Sequence, residues 1–314
     1  HIKVVVRSDW DKSKVALISG GGSGHEPAHA GFVGQGMLTA AVCGDVFASP
    51  SVDAVLAAIL AVTGPQGCVL IVKNYTGDRL NFGLAAERAR SIGLKVSMVV
   101  VDDDIALPNI PQPRGLAGTL FVHKIAGALA AEGASLETIT AVAERIIGNV
   151  KTIGLSLDTC VGPGSEKIER IPNGCAELGL GIHGEAGIEQ IDYAGVNAAV
   201  AVMVQKLAQS VDQGDLVVLV NNLGGVSSLE MSIVANEIFR SQLGERMTHV
   251  IGPACLMTSL DMKGISITVC PINAEELQYL QAPVEPWAWP GCTAISSTAI
   301  IEMPDGLTPE PPVA

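Results

Sequence analysis

Five segments decide the fold: VALIS (15–19), SVDAVLAAILAVTG (51–64), CVLIVK (68–73), RLNFGLAAERARSIG (79–93) and KVSMVVV (95–101). The first, third and fifth are short apolar runs of strand length, whereas the two Ala-rich segments between them have apolar residues at helical spacing. Strands that alternate with longer amphipathic helices are typical of βαβ units. The first half of the chain is therefore predicted to form a largely parallel sheet covered by helices.

A second sheet is predicted further along the chain. Two helical segments lead away from the first sheet and indicate a boundary near residue 150. The apolar runs DLVVLVNNLGG (215–225) and GISITVCPI (264–272) follow, separated by helical segments, and predict a mixed sheet. We therefore predict an α/β protein of two α/β domains, each a mixed or largely parallel sheet flanked by helices.

The predicted domains span residues 1–150 and 151–285. The remaining segment, 286–314, is rich in Pro and ends in TPEPPVA, so we expect an extended linker there. The chain begins at His1 with a strand-like IKVVV, and we expect that a helical segment precedes it in the natural protein.

The composition argues against several classes of function. The chain has 314 residues, 19 Lys plus Arg against 32 Asp plus Glu, and a net charge of −13, which disfavours nucleic acid as a partner. The longest apolar stretches, 67–72 and 96–101, are far shorter than the roughly 20 residues that span a membrane, so no membrane anchor is expected. Seven scattered cysteines without C-x-x-C spacing predict buried thiols in a reducing cytoplasm and no metal site.

The segment SGGGSGHEPAHAGFVG (19–34) is the first candidate site. Its glycines let backbone amides approach a ligand without interference from Cβ atoms. It lacks the Gly-Lys-Ser/Thr of a P-loop, and Pro27 stands where a dinucleotide fingerprint has its third glycine. The pattern indicates either a structural turn or a site for a small polar ligand, with His25 and Glu26 favouring the ligand.

The segment KNYTGDRLNFG (73–83) follows the strand CVLIVK and places Lys73 and Asp78 at the carboxyl edge of the predicted sheet. Ligands bind at that edge in open α/β sheets. Asp78 could instead be an acid that stabilises a helix N-terminus. Lys73 ends an apolar strand, where an ammonium group is costly unless it is paired or bound to a ligand.

The segment LGLGIHGEAG (178–187) presents His183 between glycines that leave its ring open. A neutral imidazole nitrogen can attack a ketone carbonyl and give a hemiaminal, although a purely structural histidine is the alternative. We hypothesise that Glu185 bonds the other ring nitrogen and fixes the tautomer. The acids 102–104 are interpreted as a solvated loop rather than a metal site, and NNLGG (221–225) as a turn or a pocket wall.

Six motifs together resemble the substrate-binding K domain of the dihydroxyacetone (glycerone) kinases, in unbroken order over residues 3–285. The motifs are GGGSGHEP at 20–27, FASP at 47–50, KNYTGDRLNF at 73–82, GIHGE at 181–185, NNLGG at 221–225 and SLDMKG at 259–264. The resemblance implies a two-domain α/β fold, a homodimer and a short ketose bound between the halves. It also implies that the protein is an enzyme of glycerol metabolism.

The resemblance also implies residue roles. His183 matches the histidine that forms the hemiaminal with the ketone, and His25 matches the residue paired with Asp78 for acid–base work on the hydroxyl group that is phosphorylated. The positions that match the other substrate-binding residues are Gly22, Lys73, Asp78 and Ser49. No metal or cofactor is expected on this chain.

The phosphoryl donor divides the family. The glycine segment and TGDRLNFGLAAERA (76–89) look like members in which the K domain is fused to a helical L domain that binds Mg-ATP. We therefore expect ATP as the donor and a chain that is inactive without an L domain. The alternatives are a K subunit that uses a phosphoenolpyruvate-dependent phosphotransferase and a non-catalytic ketose-sensing module. Dihydroxyacetone, glyceraldehyde and erythrulose all remain possible substrates.

Overall fold

The computed structural model describes residues 2–106, 112–164, 166 and 169–296. The first sheet has five strands in the order β1-β3-β2-β4-β5. Strands β3, β2, β4 and β5 are parallel, and β1 is antiparallel to β3, so the predicted sheet is confirmed. The strands are β1 (Val4–Val6), β2 (Ala16–Ser23), β3 (Ala40–Val46), β4 (Cys68–Lys73) and β5 (Val96–Val101).

Helices cover both faces of this sheet because successive strand side chains point to opposite sides. Ile18 and Leu70 pack in a core with α1 and α2, whereas Leu17 and Ile71 pack in another core with α3 and α4. The Ser51 side chain accepts a hydrogen bond from the Ala54 amide and caps α1. The helices are α1 (Val52–Val62), α2 (Thr76–Ser91), α3 (Thr119–Glu132) and α4 (Leu136–Asn149).

The second sheet has seven strands in the order β12-β10-β9-β11-β6-β7-β8. Only β9 and β10 are parallel neighbours, so the predicted mixed sheet is also confirmed. The strands are β6 (Lys151–Ser156), β7 (Cys175–Leu178), β8 (Glu189–Asp192), β9 (Leu216–Asn222), β10 (Met247–Ala254), β11 (Gly264–Pro271) and β12 (Cys292–Ala294). The remaining helices are α5 (Val196–Ser210), α6 (Ser228–Phe239) and α7 (Ala274–Gln281).

Helix α3 is buried on every side over its residues 119–130, and it belongs to a core that also contains Val217 and Leu219 of β9. One apolar core therefore extends from the first sheet to the second. The opposite face of the second sheet packs in its own core with α5 and α6. The domain boundary at residue 150 stays a prediction, since the two halves share packing.

The prediction of an extended linker is wrong for residues 286–296. The Glu285 amide donates to the Gln35 carbonyl at 3.0 Å, and Trp289 is buried in the shared core. Strand β12 then adds an antiparallel edge to β10. Apolar burial and strand pairing fix this part of the segment despite its irregular composition, and residues 297–314 lie outside the described residues.

Within the described ranges, no helix has the length and apolar character needed to cross a membrane.

Candidate functional site

The glycine segment begins inside β2 rather than after it, because β2 extends to Ser23. Gly22 lies directly on the loop that follows β3: a Cβ atom there would be 2.7 Å from the Ala48 backbone nitrogen. Only glycine permits that approach without moving the backbone. The close packing brings the end of β2 beside Ser49, so the structure brings together two of the predicted site positions.

Asp78 lies in the first turn of α2 and is buried. Its carboxylate accepts a hydrogen bond from the Ser49 hydroxyl group. Burial raises the pKa of Asp78, and the Lys73 charge and the Ser49 hydrogen bond oppose that rise. The position is thus both a helix N-terminal acid and a buried site carboxylate.

Lys73 is the last residue of β4 and is completely buried. Its ammonium nitrogen has no hydrogen-bond partner among the described residues. A Cβ atom at Gly21 would be 3.2 Å from the Lys73 Nζ and 3.5 Å from the Asp78 Oδ2, so both charged groups meet at that glycine. Burial lowers the pKa of Lys73, and the carboxylates of Asp78, Glu185 and Asp103 oppose that effect.

His183 lies in the loop between β7 and β8, and its ring meets three other rings nearly at right angles. The ring centroids are 4.3 Å from Tyr75, 4.8 Å from His25 and 5.6 Å from Phe47. Burial and the positive charges of Lys73 and Arg114 lower the pKa of His183 to about 3. The imidazole is therefore neutral at physiological pH, with a free lone pair on one ring nitrogen.

The backbone on both sides of His183 is held by side chains from elsewhere in the fold. Ser259 Oγ donates to the Ile182 carbonyl at 2.8 Å, and Arg170 donates to the Gly184 carbonyl at 3.1 Å. Glu185 accepts a hydrogen bond from the His183 amide at 2.7 Å. These bonds fix the loop, so the ring is presented from a rigid support.

The hypothesis that Glu185 bonds the His183 ring is wrong. The shortest approach, from Nδ1 of the ring to Oε1 of the carboxylate, is 4.0 Å, which is beyond hydrogen-bonding distance. The glycine neighbours let the Glu185 side chain fold back onto the loop backbone, where it caps the His183 amide instead.

His25 is buried, and its Nδ1 lies 2.8 Å from the Thr258 carbonyl oxygen. Because a carbonyl only accepts, Nδ1 carries the proton and Nε2 carries the lone pair. That Nε2 has no hydrogen-bond partner among the described residues. Since Nδ1 bonds Thr258 and Nε2 is free, the implied pair of His25 and Asp78 has no direct hydrogen bond in this structure, and the Asp78 carboxylate accepts from Ser49 instead.

The NNLGG motif supports this arrangement from behind. The Asn221 side chain accepts from the Leu256 and Met257 amides at 3.0 Å and donates to the Met257 carbonyl at 2.7 Å. It thereby fixes the loop whose next residue, Thr258, orients His25. The motif is a support for the pocket wall.

Sequence reasoning did not identify three residues that shape the site. Phe47 lies in the FASP motif and Tyr75 in the KNYTGDRLNF motif. The presence of an aromatic residue in each motif is the sequence signal that could have identified them as site residues. Thr258 acts through its backbone carbonyl, which any residue has, and no sequence signal could identify it.

The acids that follow β5 are not a solvated loop, with the exception of Asp102. Asp103 accepts hydrogen bonds from the Leu116 amide at 2.6 Å, the Gly118 amide at 2.8 Å and the Thr152 hydroxyl group. The neighbouring Asp104 forms a buried ion pair with Arg114. Both acids are structural, and their partners come from segments distant in sequence, which a local pattern cannot show.

The site offers polar groups for a small ligand rather than ligands for an ion. No group of three or more His, Cys, Asp or Glu side chains that could hold a metal occurs in the part of the chain that the structure describes. An uncharged nucleophilic imidazole, a second imidazole with a free lone pair, a buried ammonium and a buried carboxylate converge instead. This set can bind a polar carbonyl compound and move a proton from its hydroxyl group.

Comparisons with known proteins show what this chain is similar to. The Dak1 domain family matches residues 1–288. The chain is 54% identical to the dihydroxyacetone kinase of Citrobacter freundii over 92% of its length, but spans only 53% of that kinase. Two crystal structures of that kinase, the native form and the complex with AMP-PNP and Mg²⁺, each match this chain with a TM-score of 0.93. Each match covers 96% of this chain and 56% of the kinase chain, and the sequence identities are 52% for the native form and 51% for the complex.

A Listeria innocua protein described as the dihydroxyacetone-binding subunit of a PTS-dependent dihydroxyacetone kinase is 43% identical. That match covers 91% of this chain and 90% of the subunit. The similarity therefore includes both a kinase about twice as long as this chain and a subunit of comparable length.

Proposed function

This chain belongs to the Dak1 domain family, and from that membership we propose that it is the substrate-binding K domain of a dihydroxyacetone (glycerone) kinase. It holds the ketone as a hemiaminal on His183 while the phosphoryl group is transferred. The observation that carries the proposal is the neutral His183 imidazole, whose ring centroid lies 4.8 Å from that of His25, beside a buried lysine.

The covalent step begins with the lone pair of one His183 ring nitrogen. It forms a bond to the carbonyl carbon, and the π electrons of the carbonyl move to its oxygen. That oxygen takes a proton as the other ring nitrogen loses one, which leaves a neutral hemiaminal. Because the pKa of His183 is lowered to about 3, the attacking form is fully populated near neutral pH.

Positioning and proton transfer are divided among the other groups. Gly22, Lys73 and Ser49 bind the oxygen atoms of the ketose, and the Lys73 ammonium offers its hydrogen-bond donors from within the protein. Asp78 is the general base for the hydroxyl group that attacks phosphorus, aided by the free Nε2 of His25. The raised pKa of Asp78 brings the carboxylate closer to the range in which a base is effective.

We assign Mg-ATP as the phosphoryl donor, bound on an L domain. The support is that the Citrobacter kinase, at 54% identity, has been crystallised with AMP-PNP and Mg²⁺. The alternative is a phosphotransferase-dependent K subunit, as in the Listeria relative at 43% identity. Mixing the chain with an ATP-dependent L domain and Mg-ATP, or with a phosphotransferase L subunit and its phosphoprotein donor, would distinguish the two.

A ketose-sensing module is the second candidate function. Such a module needs His183 and the groups that bind oxygen, but it has no use for a base. The buried carboxylate of Asp78, bonded to Ser49 at the substrate edge, favours the kinase. A homodimer is also part of this proposal, and light scattering coupled to size exclusion would test it.

Native mass spectrometry is the experiment that tests the covalent site. The chain is incubated with dihydroxyacetone, glyceraldehyde or erythrulose, beside a His183→Ala variant. We expect a mass increase of one substrate in the native chain and none in the variant, with an unchanged melting temperature. An adduct that persists in His183→Ala would overturn the assignment, and the preferred compound identifies the substrate.

A further inference from the structure

Buried polar atoms without partners are concentrated at one place in the fold. Eight buried side-chain nitrogen and oxygen atoms lack a hydrogen-bond partner within the described residues, and six of these belong to His25, His29, Lys73 and His123. Buried polar groups in folded proteins are usually bonded to protein or to ordered water. The concentration therefore indicates a shared function.

His29 and His123 have no role in the proposed reaction. His29 lies within the glycine segment, at the start of the short helix 30–32, and His123 lies in the second turn of α3. Both are buried, and their ring centroids are 5.1 Å apart at an angle of 67°. Neither ring bonds the other, so each neutral ring has one nitrogen that can donate and one that can accept.

Lys73 lies at the end of a strand that packs against α3, the helix that carries His123. Helix α3 packs against β2 and β4, and Lys73 ends β4. A Cβ atom on Gly115, just before α3, would be 2.8 Å from the Lys73 Cα, so the chain entering α3 lies on the backbone of this lysine. The Lys73 charge acts on both His29 and His123 and contributes to the lowered pKa of each.

A cation between the two imidazoles is disfavoured because it would lie close to the Lys73 ammonium. Neutral imidazoles are well suited to the opposite task, since their lone pairs accept hydrogen bonds from a positive donor. An ammonium group has three donors, and a buried one needs them bonded in order to stay charged.

We infer that His29 and His123 are positioning residues that, through bound water, accept hydrogen bonds from the Lys73 ammonium and keep it charged within the protein. The pair gives the lysine an internal polar shell. Its consequence for ketose binding rests on the proposed function, whereas its effect on the Lys73 pKa does not.

The charge state of Lys73 depends on groups from every element around it. Burial lowers the pKa of Lys73, and three carboxylates oppose this. The surrounding histidines are neutral because burial and the Lys73 charge lower their pKa values. The carboxylates are Asp78 of α2, Glu185 of the His183 loop and Asp103 after β5, and the histidines are His25, His29, His123 and His183.

The test is a pH titration of Lys73 by NMR, without any ketose, on protein labelled with ¹³C at the lysine Cε. The Lys73 signal is assigned with a Lys73→Arg variant. We expect His123→Leu to lower the Lys73 pKa by about one unit, because one charge-assisted hydrogen bond is lost. His123→Gln, which keeps a donor and an acceptor in a similar volume, is expected to retain a pKa near that of the native chain.

The controls separate positioning from packing. His249→Leu removes a partly exposed imidazole on β10 and should leave the Lys73 pKa unchanged. If His123→Leu does not fold, His29→Leu gives the same test. The inference would be overturned if the Lys73 pKa were the same in the native chain and in both variants. It would also be overturned if the Leu and Gln variants shifted the Lys73 pKa equally. Absence of a ketose adduct in the native chain would contradict the proposed function alone.

Discussion

Two groups of buried polar side chains differ in how their polar atoms are bonded. In the paired cluster, formed by Asp103, Asp104 and Arg114, carboxylate oxygens accept from backbone amides, from the guanidinium and from the Thr152 hydroxyl group. In the site cluster, formed by His25, Lys73, Asp78 and His183, Lys73 and the Nε2 of His25 have no partner among the described residues. Burial is similar in the two clusters, but bonding is not.

The difference indicates which cluster serves folding and which serves binding. Each unsatisfied buried polar group costs about 1–3 kcal/mol, whereas a satisfied one adds modestly to stability. The paired cluster is complete without a ligand and joins the segment after β5 to α3 and β6. A ligand that bonds the free groups of the site cluster recovers part of their cost, so binding is favoured there.

The largest expected effect is on phosphoryl transfer. Asp78→Asn removes the proposed base, and we expect the rate to fall by about 10²–10⁴-fold. The adduct on His183 should still form, because the amide keeps the size of the side chain. A coupled assay with an L domain and Mg-ATP measures the rate, and native mass spectrometry measures the adduct. The control is Asp102→Asn, which changes an exposed acid in the first half of the chain. Full activity of Asp78→Asn would contradict the proposed role of Asp78 as the base.

The next effect is on folding. Asp103→Ala leaves two backbone amides without their acceptor and removes one of the two partners of the Thr152 hydroxyl group, so we expect the free energy of unfolding to fall by about 3 kcal/mol. Urea denaturation measures it. Asp102→Ala, one residue away and exposed, should change stability by no more than about 0.5 kcal/mol. Equal stabilities of the two variants would remove the distinction between the clusters.

The smallest effect tests the support of the His183 loop. Ser259→Ala removes the hydrogen bond to the Ile182 carbonyl, which is worth about 1 kcal/mol, so ketose binding should weaken about fivefold. Calorimetric titration with dihydroxyacetone measures the affinity. Ser232→Ala, which removes an exposed hydroxyl group bonded within α6, is the matched control. Unchanged affinity in Ser259→Ala would show that the loop is held by its other bonds.

Much of the fold could be predicted because its determinants are local. The apolar run CVLIVK and the Ala-rich segment after it each show a spacing of apolar residues that identifies a strand and a helix from neighbouring residues alone. The alternation of such strands and helices then predicts the parallel first sheet. The linker prediction failed at Trp289 and β12 because burial against a distant core and pairing with β10 leave no periodic signal in a Pro-rich segment.

By itself, the sequence determined the α/β class, the two sheets and the positions of His25, Lys73, Asp78 and His183 within recognisable motifs. The tertiary structure alone decided which polar atoms are satisfied. Asp103 and Lys73 are both buried, but the Asp103 carboxylate meets donors from residues 116–152, whereas the Lys73 ammonium meets no acceptor among the described residues. Such partners come from segments far apart in the chain, and only folding brings them within hydrogen-bonding distance.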